Sequence, residues 1–97
     1  MEQILLIDDD VQLCRLLAER LATDHFNVET AHDGPHGLER ALLLQPALVV
    51  LDLMLPGMGG LEVLRRLRKA SLVPVLILTA RGEDPDRILG LEMGADD

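Results

Sequence analysis

The run Leu48-Val49-Val50-Leu51-Asp52-Leu53-Met54-Leu55-Pro56-Gly57 stays apolar for four residues, meets one carboxylate and passes into a Pro-Gly turn. A short apolar run bounded by turn formers reads as a strand buried on both faces of a parallel sheet. Asp52 then stands at the carboxyl end of that strand, the edge at which open α/β sheets bind ligands. Taken alone, it reads equally well as a strand-end carboxylate bonded to nearby backbone N–H groups. The other strand ends change that balance.

Ile4-Leu5-Leu6-Ile7 is a second apolar run, halted by Asp8-Asp9-Asp10. Val73-Pro74-Val75-Leu76-Ile77-Leu78 is another, closed by Thr79, and Pro74 suits only its first residues. Residues 26–31 form a weaker strand in which Phe26, Val28 and Thr30 alternate with Asn27 and Glu29. Between these strands the apolar period lengthens to that of helices. Over residues 11–22, Leu13, Leu16, Leu17 and Leu21 make one stripe, with Cys14 and Ala18 beside it. Asp9 or Asp10 is placed to cap that helix. Asp33-Gly34-Pro35 starts a second helix, which turns Leu38, Ala41 and Leu42 inward and ends at Gln45-Pro46. A glycine-rich loop leads to a third, over residues 61–69, with Leu61, Val63, Leu64 and Leu67 on its core face and a Glu62–Arg66 pair on its wet side. Asp84-Pro85 opens a fourth, running to about Met93 and stopped by Gly94.

Strand and helix thus alternate four times. That order specifies an α/β fold, a doubly wound parallel sheet with right-handed crossovers and helices on both faces. The 97 residues fit one domain, with no repeat or linker. Hydrophobic residues are 48% of the chain but aromatic ones only 1%, so the core must be aliphatic. A net charge of −8 argues against a grip on nucleic-acid phosphates and suits divalent cations or basic partner surfaces. The single cysteine, Cys14, excludes an internal disulfide and reads as a small core residue. No apolar run approaches the roughly 20 residues that span a bilayer, and a cytoplasmic, membrane-free protein is expected. His25, His32 and His36 match no metal-ligand spacing and read as surface residues.

Parallel strands end on one side, and the first and third are neighbours at the switch point. Asp8, Asp9 and Asp52 therefore converge, with the Thr79 hydroxyl nearby. Three close carboxylates repel unless a cation sits among them, and Mg²⁺ suits a site that leaves room for phosphate oxygens. Carboxylates, Mg²⁺ and a hydroxyl together make a phosphoryl site. Asp52 is the nucleophile candidate, Asp8 and Asp9 the metal-holding pair.

The strand ends Ile4 to Asp10, Leu48 to Gly57 and Pro74 to Ala80, with Gly94-Ala95-Asp96-Asp97, closely resemble the receiver domain of two-component response regulators. The resemblance covers the whole chain and implies a flavodoxin-like (CheY-like) sheet of order 2-1-3-4-(5). It implies phosphorylation of Asp52 by a phosphohistidine of a sensor histidine kinase, in a signalling protein that is not a turnover enzyme. It implies Mg²⁺ held by the side chains of Asp9 and Asp52, by the Met54 backbone carbonyl, and by Asp8 through water, with Thr79 as the hydroxyl that contacts the phosphoryl group. Residues 53–58 and 78–83 look most like the OmpR/PhoB subfamily, which implies a homodimer and transcription regulation through a C-terminal DNA-binding domain absent here. Gly59 departs from the family's more common polar residue. The family's fifth strand, its lysine and its last helix are also missing, since Lys69 lies on the third helix; residues 1–97 thus read as an incomplete receiver domain. A bare fourth-strand edge is then expected, with poor folding or pairing to a second copy. Two alternatives remain: a Mg²⁺-dependent phosphohydrolase with an aspartyl nucleophile, weakened by Met54 where a second Asp is usual, and a pseudo-receiver that acts only by protein interaction.

Overall fold

In the computed structural model, which describes the backbone of residues 2–79 and 88–92 and the side chains of residues 2–78, the four apolar runs pair as strands. They are β1 (Gln3–Ile7), β2 (Asn27–Ala31), β3 (Leu48–Asp52) and β4 (Val75–Thr79). The helices α1 (Val11–Thr23), α2 (Gly34–Leu44) and α3 (Gly60–Arg68) join them in turn. All pairs among these strands are parallel, in the order β2-β1-β3-β4.

The two-residue period of the strands sorts the core into two layers. Leu5 and Ile7, Val49 and Leu51, Val75 and Ile77 meet Ala41 of α2 and Val63, Leu64 and Leu67 of α3. Ile4, Leu6 and Val50 face the other way, onto Cys14, Leu17 and Leu21 of α1. Each fully buried aliphatic side chain contributes about 1.5–3 kcal/mol. With both sheet faces covered, aliphatic side chains supply nearly all of the core, and Phe26 alone adds an aromatic ring to the layer under α1.

Cap geometry chooses between neighbouring aspartates. The Asp10 carboxylate accepts the Leu13 N–H at 3.0 Å, so Asp10 caps α1 and Asp9 is left for other work. Asp33 does the same for α2, accepting the His36 N–H at 2.8 Å. Gln45 ends α2 in the left-handed region, with φ 51°. On α3, Glu62 accepts from Arg66 at 2.8 Å and from Arg65, on the wet side as expected.

Three leucines assigned to the core are exposed: Leu16, Leu42 and Leu61. Each helix touches the sheet through a stripe narrower than its leucine content. On α1 that stripe is Cys14, Leu17 and Leu21, and Leu16 lies about 100° round from Leu17.

The fourth helix is corrected more deeply. Ile88–Glu92, expected to be helical, is a strand, β5, antiparallel to β4 from Val75 opposite Glu92 to Thr79 opposite Ile88. The fifth place in the sheet, expected to be vacant, is therefore filled and the β4 edge is not bare. Two constraints overrule the helical pattern. An unpaired β4 would leave a row of N–H and C=O groups without ladder partners. A parallel return needs a crossover of about a dozen residues or more, whereas residues 80–87 are all that separate β4 from β5, so the chain must reverse. Residues 80–87 and 93–97, including the Asp84-Pro85 helix start and Asp96-Asp97, lie outside the described residues.

Gly60 sets how closely α3 approaches the end of β3. A Cβ there would stand 2.5 Å from the Asp52 carbonyl oxygen and 2.5 Å from the Leu53 Cα, both backbone atoms that cannot yield. The Gly60 N–H donates to the Leu53 carbonyl at 3.3 Å and closes the loop between them. We predict that Gly60→Ala lowers stability by about 1–3 kcal/mol through overpacking, despite alanine's better helix propensity. Urea unfolding followed by far-UV circular dichroism measures this; an unchanged midpoint would contradict the close approach.

Candidate functional site

Backbone register builds the site. β1 and β3 pair residue for residue from Ile4 beside Leu48 to Ile7 beside Leu51. One further step brings Asp8 level with Asp52, on the same side of the sheet as Leu6 and Val50. Both aspartates are buried, while Asp9 is exposed at the mouth of the cluster. One carboxylate oxygen from each of Asp8, Asp9 and Asp52 lies within 4.8 Å of the others. The three acids singled out in the sequence therefore do come together.

Local turns orient the two buried carboxylates. Asp8 Oδ1 accepts the Asp10 N–H at 2.9 Å, and Asp52 Oδ1 accepts the Met54 N–H at 2.9 Å. Asp8 Oδ2 is buried without a hydrogen-bond partner, which costs about 1–3 kcal/mol for such a group. Two like charges no further apart than this repel by about 3.5 kcal/mol or more at an effective dielectric of ~20. Burial, followed by the charges of Asp52 and Asp9, pushes Asp8 above the usual carboxylate range, against the lowering effect of the Asp10 N–H.

An all-oxygen donor set with an orphaned buried oxygen fits a hard divalent cation. Asp10, committed to its helix cap, is not part of the cluster. Met54 contributes its N–H, and its side chain is exposed. Thr79 is the last residue of β4, one beyond the Leu78 that pairs with Asp52, which puts its backbone at the correct edge; its side chain lies outside the described residues. Lys69 caps the far end of α3, away from the cluster.

Sequence reasoning missed two residues. The Asp8 carbonyl oxygen accepts from His32 Nδ1 at 3.0 Å and from Cys14 Sγ at 3.5 Å. The signal for His32 was its place directly after β2: the β1–β2 register, which ends with Ile7 beside Ala31, sets it level with Asp8.

This geometry has close relatives. The sequence profile of the response regulator receiver domain matches residues 4–97. The chain belongs to that family. As a receiver domain it is 52% identical, over all 97 residues, to the transcriptional regulatory protein CpxR homolog of Haemophilus influenzae, of which it covers 42%. It is 42% identical, again over its whole length, to the response regulator ArlR of Staphylococcus aureus, of which it covers 44%. The receiver domain thus spans less than half the length of these curated relatives. Among solved structures, the BeF3-activated N-terminal receiver domain of Klebsiella pneumoniae RstA superposes with a TM-score of 0.77 at 32% identity, covering 84% of this chain and 70% of that one. A Francisella response regulator receiver domain superposes with a TM-score of 0.79 at 26% identity, covering 87% and 70%.

The raised Asp8 gives a signed pH dependence. A carboxylate whose pKa is higher folded than unfolded contributes stability that is complete below the unfolded value and is lost as pH rises through the folded one. Without a divalent ion, wild type should lose stability relative to Asp8→Asn as pH climbs from the ordinary carboxylate range toward neutrality. Mg²⁺ at 100 times its Kd should return about 2.7 kcal/mol to the wild type and much less to the variant. Thermal melts at acidic and neutral pH, with and without Mg²⁺, measure both effects. Equal Mg²⁺ responses in the two proteins would refute the assignment of Asp8.

Proposed function

We propose that this receiver domain takes a phosphoryl group onto Asp52 from the phosphohistidine of a sensor histidine kinase. The observation that carries this reading is the convergence of the Asp8, Asp9 and Asp52 oxygens within 4.8 Å at the ends of β1 and β3. An Asp52 carboxylate oxygen attacks phosphorus, the P–N bond to the kinase imidazole breaks, and that nitrogen keeps the electron pair and takes up a proton. Asp52 is held for this by the Met54 N–H and by the ladder bond from the Leu53 N–H to the Leu78 carbonyl, at 3.1 Å.

Asp8, Asp9 and Asp52, with the Met54 carbonyl, are the proposed Mg²⁺ ligands, Asp8 acting through water. When bound, the ion would offset charge on the phosphoryl oxygens. The Thr79 hydroxyl is the proposed contact for the transferred group. The product is a switched state rather than a released substrate, so the protein is a signalling switch and not a turnover enzyme. Position 54 supports this: a phosphohydrolase of the aspartyl class would need a general acid there, and the exposed Met54 side chain has no proton to give.

Because the domain covers 42% of a relative named as a transcriptional regulatory protein, the proposed output is transcription regulation through a separate DNA-binding segment, in a homodimer. Among the described residues no helix is long and apolar enough to cross a membrane, and the proposed place of action is the cytoplasm.

The test is incubation with a small phosphodonor and Mg²⁺, followed by intact mass and peptide mapping. One base-labile phosphoryl group on Asp52 is expected, absent in Asp52→Asn and strongly slowed in Asp9→Asn. Undiminished labelling of Asp52→Asn would sink the assignment.

A further inference from the structure

Almost every polar atom of Asp8 is already committed. Its N–H donates to the Ala31 carbonyl at 3.0 Å, extending the β1–β2 ladder by one bond. Its Oδ1 accepts from the Asp10 N–H. Its carbonyl accepts from His32 Nδ1 and from Cys14 Sγ. Of the polar atoms of Asp8, Oδ2 alone has no hydrogen-bond partner among the described residues. Asp8 is thus clamped at four contacts around one unpartnered oxygen, on a carboxylate that belongs to the acidic cluster.

The His32 contact is the unusual member. β2 ends at Ala31 and the chain turns into α2 at its Asp33 cap, so no further β2 amide is placed to continue the ladder along Asp8. The imidazole supplies the donor instead. A carbonyl oxygen can only accept, so Nδ1 carries the hydrogen and the ring is held in that tautomer. The side chain sits on an exposed residue, yet it reaches a main-chain atom of a buried acid. It leads into a concavity of about 320 Å³ lined also by Thr30, His36 and Arg40.

We infer that His32 is a positioning residue for the cation site: it fixes the Asp8 peptide so that the Asp8 and Asp9 carboxylates stay gathered with that of Asp52. It touches neither the cation nor the phosphoryl group. Outer partners of this kind, which orient a ligand through a hydrogen bond, change metal affinity by about 10–100-fold when removed. Cys14 assists from α1, but its sulfur contact is longer and weaker. The inference rests on the cation site proposed above.

The test exploits where each side chain puts its donor. The Asn Nδ2 occupies nearly the position of imidazole Nδ1, whereas the Gln nitrogen falls one bond further out. Mg²⁺ is titrated calorimetrically into wild type, His32→Asn, His32→Gln and His32→Ala, with urea melts run alongside without Mg²⁺. We expect Gln and Ala to weaken Mg²⁺ binding by about tenfold or more and Asn to stay within about threefold of wild type, while Asn and Gln share one urea midpoint. A merely structural ring would move the midpoints and not split Asn from Gln in affinity. Should the Ala variant fail to fold, the Asn and Gln comparison still decides. Equal affinities in Asn and Gln, whether both normal or both weakened, overturn the role of the Nδ1 donor. A wild type that binds no Mg²⁺ overturns the cation site itself, and this inference with it.

Discussion

Two carboxylates are forced side by side by the parallel register of β1 and β3, and nothing in their own chemistry favours that arrangement. The cohesion comes from elsewhere. Leu5, Ile7, Val49 and Leu51 are fully buried against α2 and α3, and the ladder beneath the acids cannot slip. A one-residue shift would turn every side chain of β1 to the other face, setting Asp8 apart from Asp52 at the cost of the entire core pattern. The hydrophobic layers therefore hold an electrostatic conflict in place. A cation among the three acids would relieve it.

Helix placement follows from the same edge. α1 starts immediately after the acidic turn because Asp10 caps it, and α3 presses against the end of β3 because Gly60 has no Cβ to hold it off. The loop between β3 and α3 is pinned by Leu55, buried in the core layer under α2 and α3. Rigid elements thus bracket the cluster on two sides, while Asp9 stays open to solvent.

Much of this was readable from residue order. Strand ends that carry Asp8 and Asp52 announce the site because the two-residue period fixes which way each points. Other features depend on tertiary choices that spacing does not carry. Asp9 and Asp10 both suit a helix cap, and only the folded turn assigns it. Leucines outnumber the places on each inward stripe, which is why Leu16, Leu42 and Leu61, assigned to core faces by their spacing, are exposed instead. Ile88 to Glu92 has a helical pattern that yields to the demand of an open β4 edge and to a short tether. His32 contacts a residue 24 positions away, a pairing visible only once the β1–β2 register is known.

Cys14 gives the molecule a chemical reporter. Its thiol is 2% exposed, and burial, with the surrounding aspartate charges, pushes its pKa up to about 11. About one molecule in 10,000 then carries a thiolate at neutral pH, and thiolate is the form that oxidants and alkylating reagents attack. The Cys14 thiol is therefore silent toward such reagents while α1 stays on the sheet. Alkylation would register only excursions in which α1 leaves the sheet. Because the same sulfur rests on the Asp8 carbonyl, the rate of that labelling counts how often the floor of the acidic site comes apart.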